Sequence, residues 1–166
     1  MRSLVVVGTA DVFAAAIERY KANLRARVEK TASKLFRSMT TEKDDYTGLT
    51  INSNYGLTIR HRDGGAEHHR SAGAEHVVAL ALMGALQKNA PLRGPIVMDS
   101  PFGRLDGGHT SNVIQTLPDV AEQVVLLVYK SEVDKTRMRE LLGSALVREY
   151  ELHRVDSRQT RIRLAK

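Results

Sequence analysis

Residues 96–128 constrain the fold most tightly. Ile96, Val97 and Met98 form a short apolar run that ends in Asp99, a helix is expected over roughly His109 to Thr116, and Val124 to Val128 is apolar without a break. Two strand-length apolar runs separated by a helical segment read as parallel strands joined by a crossover, because parallel strands need a long connection and are buried on both faces. The chain is therefore expected to be an α/β lobe whose core sheet is mostly parallel and flanked by helices.

The rest of the chain is expected to dress that sheet. From about Thr9 to Met39 there is neither proline nor glycine, and Phe13, Ile17, Tyr20, Leu24, Val28, Leu35 and Phe36 recur at spacings of three, four or seven. That pattern predicts a long amphipathic helix, with Thr9 or Asp11 as its N-cap. It suits either the returning arm of an antiparallel coiled coil or a helix that covers a sheet. Residues 1–40 are assigned to this arm and 41–166 to the lobe. Leu49 and Ile51, a turn at Asn52-Ser53-Asn54, and then Tyr55, Leu57 and Ile59 predict a hairpin. A second apolar helix is expected from about Ala74 to Leu86, stopped by Pro91, and a further one over Glu132 to Leu142. Val147 to Leu152 and Thr160 to Leu164 alternate and predict a terminal hairpin.

Composition excludes several classes. The longest apolar runs, Leu4 to Val7 and Val124 to Val128, are of strand length, so no membrane-spanning segment or secretory leader is expected. With zero cysteines there is no disulfide, thiolate metal site or thiol nucleophile, which fits a cytoplasmic setting. A net charge of +6 attracts polyanions such as DNA, RNA or nucleotide phosphate.

Three segments carry chemistry, and their order is more specific than any one of them. Arg70-Ser71-Ala72-Gly73 opens a helix, and a serine hydroxyl with free N–H groups from Ser71 to Ala74 is an anion site, though an ordinary helix cap has the same residues. Asp99, at the tip of an apolar strand, is placed to hold a divalent cation directly or through water. Pro101-Phe102-Gly103-Arg104-Leu105-Asp106 follows at once. His68, His69 and His76 suit solvated positions better than a metal site. Arg154, Arg158, Arg161 and Arg163 suit a solvated strand face better than a phosphate patch.

This order resembles the signature loop, Walker B strand and D-loop of the C-terminal half of an ABC-type, SMC-like ATPase head. The string Asp99-Ser100-Pro101-Phe102-Gly103-Arg104-Leu105-Asp106, with His109 after it, is similar to the SMC-like ATPase subunit of the DNA sulfur-modification (phosphorothioation) system. The similarity continues through Leu117-Pro118, Ala121 and Gln123-Val124-Val125-Leu126-Leu127 to Glu132. The resemblance implies a head that pairs with a second copy around ATP and Mg²⁺ and acts in DNA modification, restriction or repair. In it Ser71, Ala72 and Gly73 would meet the γ-phosphate held by the opposite subunit. Asp99 would hold Mg²⁺, and Asp106 would lie at the dimer seam and couple the two sites.

The chain departs from that pattern in ways that bear on activity. No glycine is followed by lysine, so the phosphate-wrapping Walker A loop is absent and hydrolysis is expected only with a separate Walker A lobe. The chain is accordingly a fragment, a split subunit or a degenerate relative. Ser100 stands where the family has its catalytic glutamate, and a serine hydroxyl is a poor base at neutral pH. Tyr129 replaces the switch histidine, with Lys130 beside it as a phosphate contact. Arg70 replaces the leading leucine of the signature, and Ala74 follows Gly73 with Glu75 one place late. The second reading is a non-catalytic DNA-binding or assembly module. The third is an unfolded relic, since half a sheet leaves open edges.

Overall fold

The computed structural model describes residues 2–67 and 71–165, and side chains from residue 8 onward. In chain order the elements are α1 (Arg2–Met39), β1 (Tyr46–Ile51), β2 (Leu57–His61), β3 (Ala66–Glu67), α2 (Ala72–Asn89), β4 (Ile96–Asp99), α3 (Gly107–Thr116), β5 (Val124–Leu127), α4 (Lys135–Leu142), β6 (Tyr150–Arg154) and β7 (Thr160–Leu164). Single 3-10 turns, Leu117–Asp119 and Gly143–Ala145, close α3 and α4.

Helix α1 is 38 residues long, roughly 57 Å at 1.5 Å per residue. It starts at Arg2, so Leu4 to Val7 are helical, and Thr9 and Asp11 lie inside the helix and do not cap it. The helix runs through Gly8, since one glycine costs a helix about 1 kcal/mol without ending it. The two halves of α1 have different surroundings. Val28, Ala32, Leu35, Phe36 and Met39 are buried in the core, whereas Phe13, Ile17 and Tyr20 on the same apolar stripe are exposed.

Helix α2 crosses the buried half of α1. A Cβ on Gly84 would stand 2.8 Å from Leu35 Cδ1 and 3.1 Å from Val120 Cγ1, so the glycine lets the two helices and the turn after α3 approach closely. Asn89 Nδ2 donates to Thr31 Oγ1 at 3.1 Å across the same contact. Strands β1, β2 and β3 form an antiparallel sheet against α1, fixed by Ser33, whose hydroxyl donates to Leu49 O and accepts from Leu49 N. Tyr55, expected in the second strand, sits instead in the turn with φ of 61°, while Asn52 Oδ1 accepts from Asn54 N and Gly56 N.

The sheet that carries Asp99 is parallel as expected, and the antiparallel pairs lie in the two hairpin sheets. Among the described residues β4 and β5 pair parallel, whereas β1–β2, β2–β3 and β6–β7 are antiparallel. The reason is connection length, since only β4 and β5 are separated by a helix and the others are joined by tight turns. Helix α4 also starts later than expected, at Lys135, because Asp134 caps it by accepting from Arg137 N. Strand β6 begins at Tyr150 where Val147 was expected, and Arg154, Arg161 and Arg163 lie on the exposed hairpin.

Candidate functional site

Strand β4 runs in register beside β5, pairing Ile96 with Val124, Val97 with Val125, Met98 with Leu126 and Asp99 with Leu127. Side chains alternate across a strand, so Ile96, Met98, Val124 and Leu126 pack on the core while Val97, Asp99, Val125 and Leu127 point the other way. On that second face Val97 is 64% exposed, Leu127 46% and Val125 39%. Asp99 therefore stands at the carboxyl end of a parallel pair, on a face that is apolar and uncovered.

The chain turns sharply after Asp99. Ser100 adopts a φ of 50°, a left-handed conformation costly for a residue with a Cβ, and its N–H donates to Leu127 O at 2.9 Å. Its hydroxyl lies 3.5 Å from Asp99 Oδ1. Pro101 and Phe102 are buried and anchor the loop, whose polar members Gly103, Arg104 and Asp106 remain exposed. Among the described residues no cluster of three metal-binding side chains occurs. A lone carboxylate still suits Mg²⁺, which usually takes one or two protein carboxylates and fills its other positions with water and phosphate.

The start of α2 meets this loop. Ser71 caps the helix, its hydroxyl accepting from Ala74 N at 3.1 Å. The cap that the sequence allowed is thus present, and the N–H groups of Ala72 and Gly73 are not used by it. A Cβ on Gly73 would lie 3.5 Å from Arg104 O, an ordinary contact. His76, one turn further along, has its Nε2 2.7 Å from Pro101 O and donates to it, which ties α2 to the loop after β4. His76 is thereby a strut between these elements and not a solvated side chain; His68, His69 and Arg70 lie outside the described residues.

Asp106 holds the other end of the loop. It caps α3, with Oδ1 accepting from His109 N at 2.9 Å and Oδ2 2.7 Å from His109 Nδ1. The His109 backbone N–H, then its ring, holds the Asp106 carboxyl below the ordinary Asp value. Lys130 sits exposed in the turn after β5, and among the described residues it makes no ion pair. The geometry thus joins Ser71 to Gly73 with the loop from Ser100 to Asp106, and leaves Lys130 as a free charge.

Sequence reasoning missed two features here. Thr41, just after α1, has its hydroxyl 3.2 Å from His109 Nε2, a contact across 68 positions that no local pattern announces. Glu132 lies beside the loop, its Oε1 3.6 Å from where a Cβ on Gly103 would be, and its buried Oε2 has no hydrogen-bond partner among the described residues. An acid four residues beyond an apolar strand carries no signal of burial.

No family model and no curated protein matches the chain. Solved structures do. A chain from work on ATP-driven dimerization and DNA-stimulated activation of SMC ATPases superposes with a TM-score of 0.63 at 14% identity, over 90% of this chain and 89% of that one. The SMC head domain of Thermotoga maritima gives 0.60 at 17% identity, over 92% of this chain and 52% of that one. The Smc head domain with coiled coil and joint from Pyrococcus yayanosii gives 0.65 at 18%, over 96% of this chain and 31% of that one. The chain thus spans most of the first of these chains, about half of the second and under a third of the third, and it has the fold of the C-terminal part of an SMC head domain.

Proposed function

We propose that the chain is the C-terminal lobe of an SMC-like ATPase head, which completes a nucleotide site at a dimer interface together with a Walker A lobe that this chain does not contain. The uncovered face of β4–β5 carries this reading. Parallel strands are ordinarily covered on both sides, and burying side chains such as Val97, Val125 and Leu127 is worth about 1.5–3 kcal/mol each. A lobe packed there would cover the apolar face and bring its phosphate-gripping loop to the end that bears Asp99.

Within such a head, Ala72 and Gly73 present free N–H groups at the positive end of α2. Ser71 shapes that terminus by capping it. Asp99 would hold the metal through its exposed carboxylate. ATP with Mg²⁺, when bound, supplies the phosphoanhydride and the cation. Ser100 cannot act as a base at neutral pH, so turnover is slow. Asp106 lies at the seam, and Lys130 is free to reach phosphate. The partners are the Walker A lobe, a second head, and DNA, toward which the charge of +6 draws the chain. The string from Asp99 to Asp106 followed by His109 supports a role in DNA sulfur modification, restriction or repair in the cytoplasm. Combining the chain with the Walker A lobe of its own head and measuring phosphate release tests this, with Asp99→Ala expected to abolish it.

Ser100 and Tyr129 favour a second reading, a head kept for assembly or DNA binding without hydrolysis. In that case the lobes associate and bind DNA, and nucleotide changes neither.

A further inference from the structure

Helix α1 ends at Met39, and the two residues after it are fastened to the start of α3. Thr40 is buried, and its carbonyl accepts from Asn112 Nδ2 at 3.0 Å. Thr41 lies over Gly108, where a Cβ would stand 2.9 Å from Thr41 Cγ2, so the missing side chain eases the close approach of the turn. His109 completes the junction. Its Nδ1 is 2.7 Å from Asp106 Oδ2 and its Nε2 3.2 Å from Thr41 Oγ1, with the ring side chain only 12% exposed. An N–H on Nδ1 suits both contacts, donating to the carboxylate while Nε2 accepts from the hydroxyl.

We propose that His109 is a positioning residue that fixes the Asp106 carboxylate to the root of the long helix through Thr41. Asp106 has two oxygens and both are committed to His109, one to its backbone and one to its ring. The ring in turn is held by the residue two places beyond the end of α1. Because the first half of α1 projects an exposed apolar stripe and the second half is locked in the core, α1 is a lever whose fixed end abuts this junction. A rotation of the lever is delivered at Thr40 and Thr41 and reorients Asp106. The inference rests on the reading above of Asp106 as the residue at the seam, but the Thr41–His109–Asp106 linkage itself does not.

Thr41→Val removes the hydroxyl and keeps the shape, whereas Thr41→Ser keeps the hydroxyl. In the full chain, exchange of the His109 amide, which Asp106 Oδ1 accepts, rises about three- to ten-fold in Thr41→Val, the loss expected for one hydrogen bond. Exchange at Val113 and Ile114 in the same helix stays unchanged, and Thr41→Ser restores the slow rate. The ring follows suit: ¹⁵N-histidine spectra show the Nδ1–H tautomer in the parent and in Thr41→Ser, and a mixture in Thr41→Val. In heads assembled with their Walker A lobe, Thr41→Val lowers kcat with KM for ATP unchanged, and Thr41→Ser recovers it. A Thr41→Val protein that matches the parent in exchange and tautomer, or a Thr41→Ser protein that behaves like Thr41→Val, overturns the proposal. If parent heads show no turnover, the ATPase reading fails, and exchange and tautomer alone decide the linkage.

Discussion

Two glycines in α2 should respond to the same substitution in opposite ways. At Gly84 a new methyl meets Leu35 Cδ1 at 2.8 Å and Val120 Cγ1 at 3.1 Å, inside a fully packed junction. Overpacking of this kind costs about 1–3 kcal/mol, against a gain of about 1 kcal/mol from replacing a mid-helix glycine by alanine. Gly84→Ala is therefore expected to lose about 1 kcal/mol, a fall in Tm of roughly 2–4 °C for a chain of this size. At Gly73 the methyl finds only Arg104 O at 3.5 Å and Ser71 Oγ at 3.9 Å, so nothing inside the chain objects. Gly73→Ala is expected to hold or raise Tm, by about 0.4–1 kcal/mol through the unfolded chain. On the proposed reading the methyl would nevertheless occupy the space in which a neighbouring phosphate approaches, and nucleotide-driven association of assembled heads should weaken at least about tenfold, or 1.4 kcal/mol. Melting curves and sedimentation with and without ATP separate the two effects. A fall in Tm for Gly73→Ala as large as that for Gly84→Ala would refute the packing argument, and unchanged association would refute the external contact.

Further outcomes follow from the same geometry. Ser71→Ala removes the cap of α2 and should cost about 1 kcal/mol in thermal unfolding, with Ser71→Asp retaining it. Asp106 has a folded-state pKa depressed below its ordinary value of 3.8, so its contribution to stability is present above that value and is lost as pH falls through the folded pKa. Acid unfolding of Asp106→Asn should accordingly be flatter below about pH 4, an effect muted by the exposure of the carboxyl. Val97→Glu on the bare face should leave the Tm of the isolated chain within about 0.5 kcal/mol of the parent, as for other exposed positions. It should abolish association with the Walker A lobe, which pull-down of the tagged lobe would read.

Local chemistry made much of this legible in advance. The helix–strand order between residues 72 and 127 was readable because hydrophobic period and turn residues agreed, and Asp99 fell at the strand end as its sequence neighbours required. Where two interactions compete for a residue, the sequence was less informative. Ser71 is read as a phosphate contact and Asp106 as a residue of the dimer seam, and both are helix caps, because one oxygen can satisfy a free N–H whatever else approaches. The apolar run of β5 implies two covered faces, and this chain covers one. Val125 and Leu127 stay exposed on the other face. Contacts such as His76 to Pro101 and His109 to Thr41 join positions far apart and have no periodic trace.

The most direct test measures phosphate release and the mass of the complex after the chain is combined with its Walker A lobe, ATP and Mg²⁺, for the parent and for Asp99→Ala. The account predicts slow hydrolysis and an ATP-dependent pair of heads in the parent, with hydrolysis lost in the variant while the lobes still associate. Hydrolysis that survives in Asp99→Ala, or lobes that never meet, would contradict it.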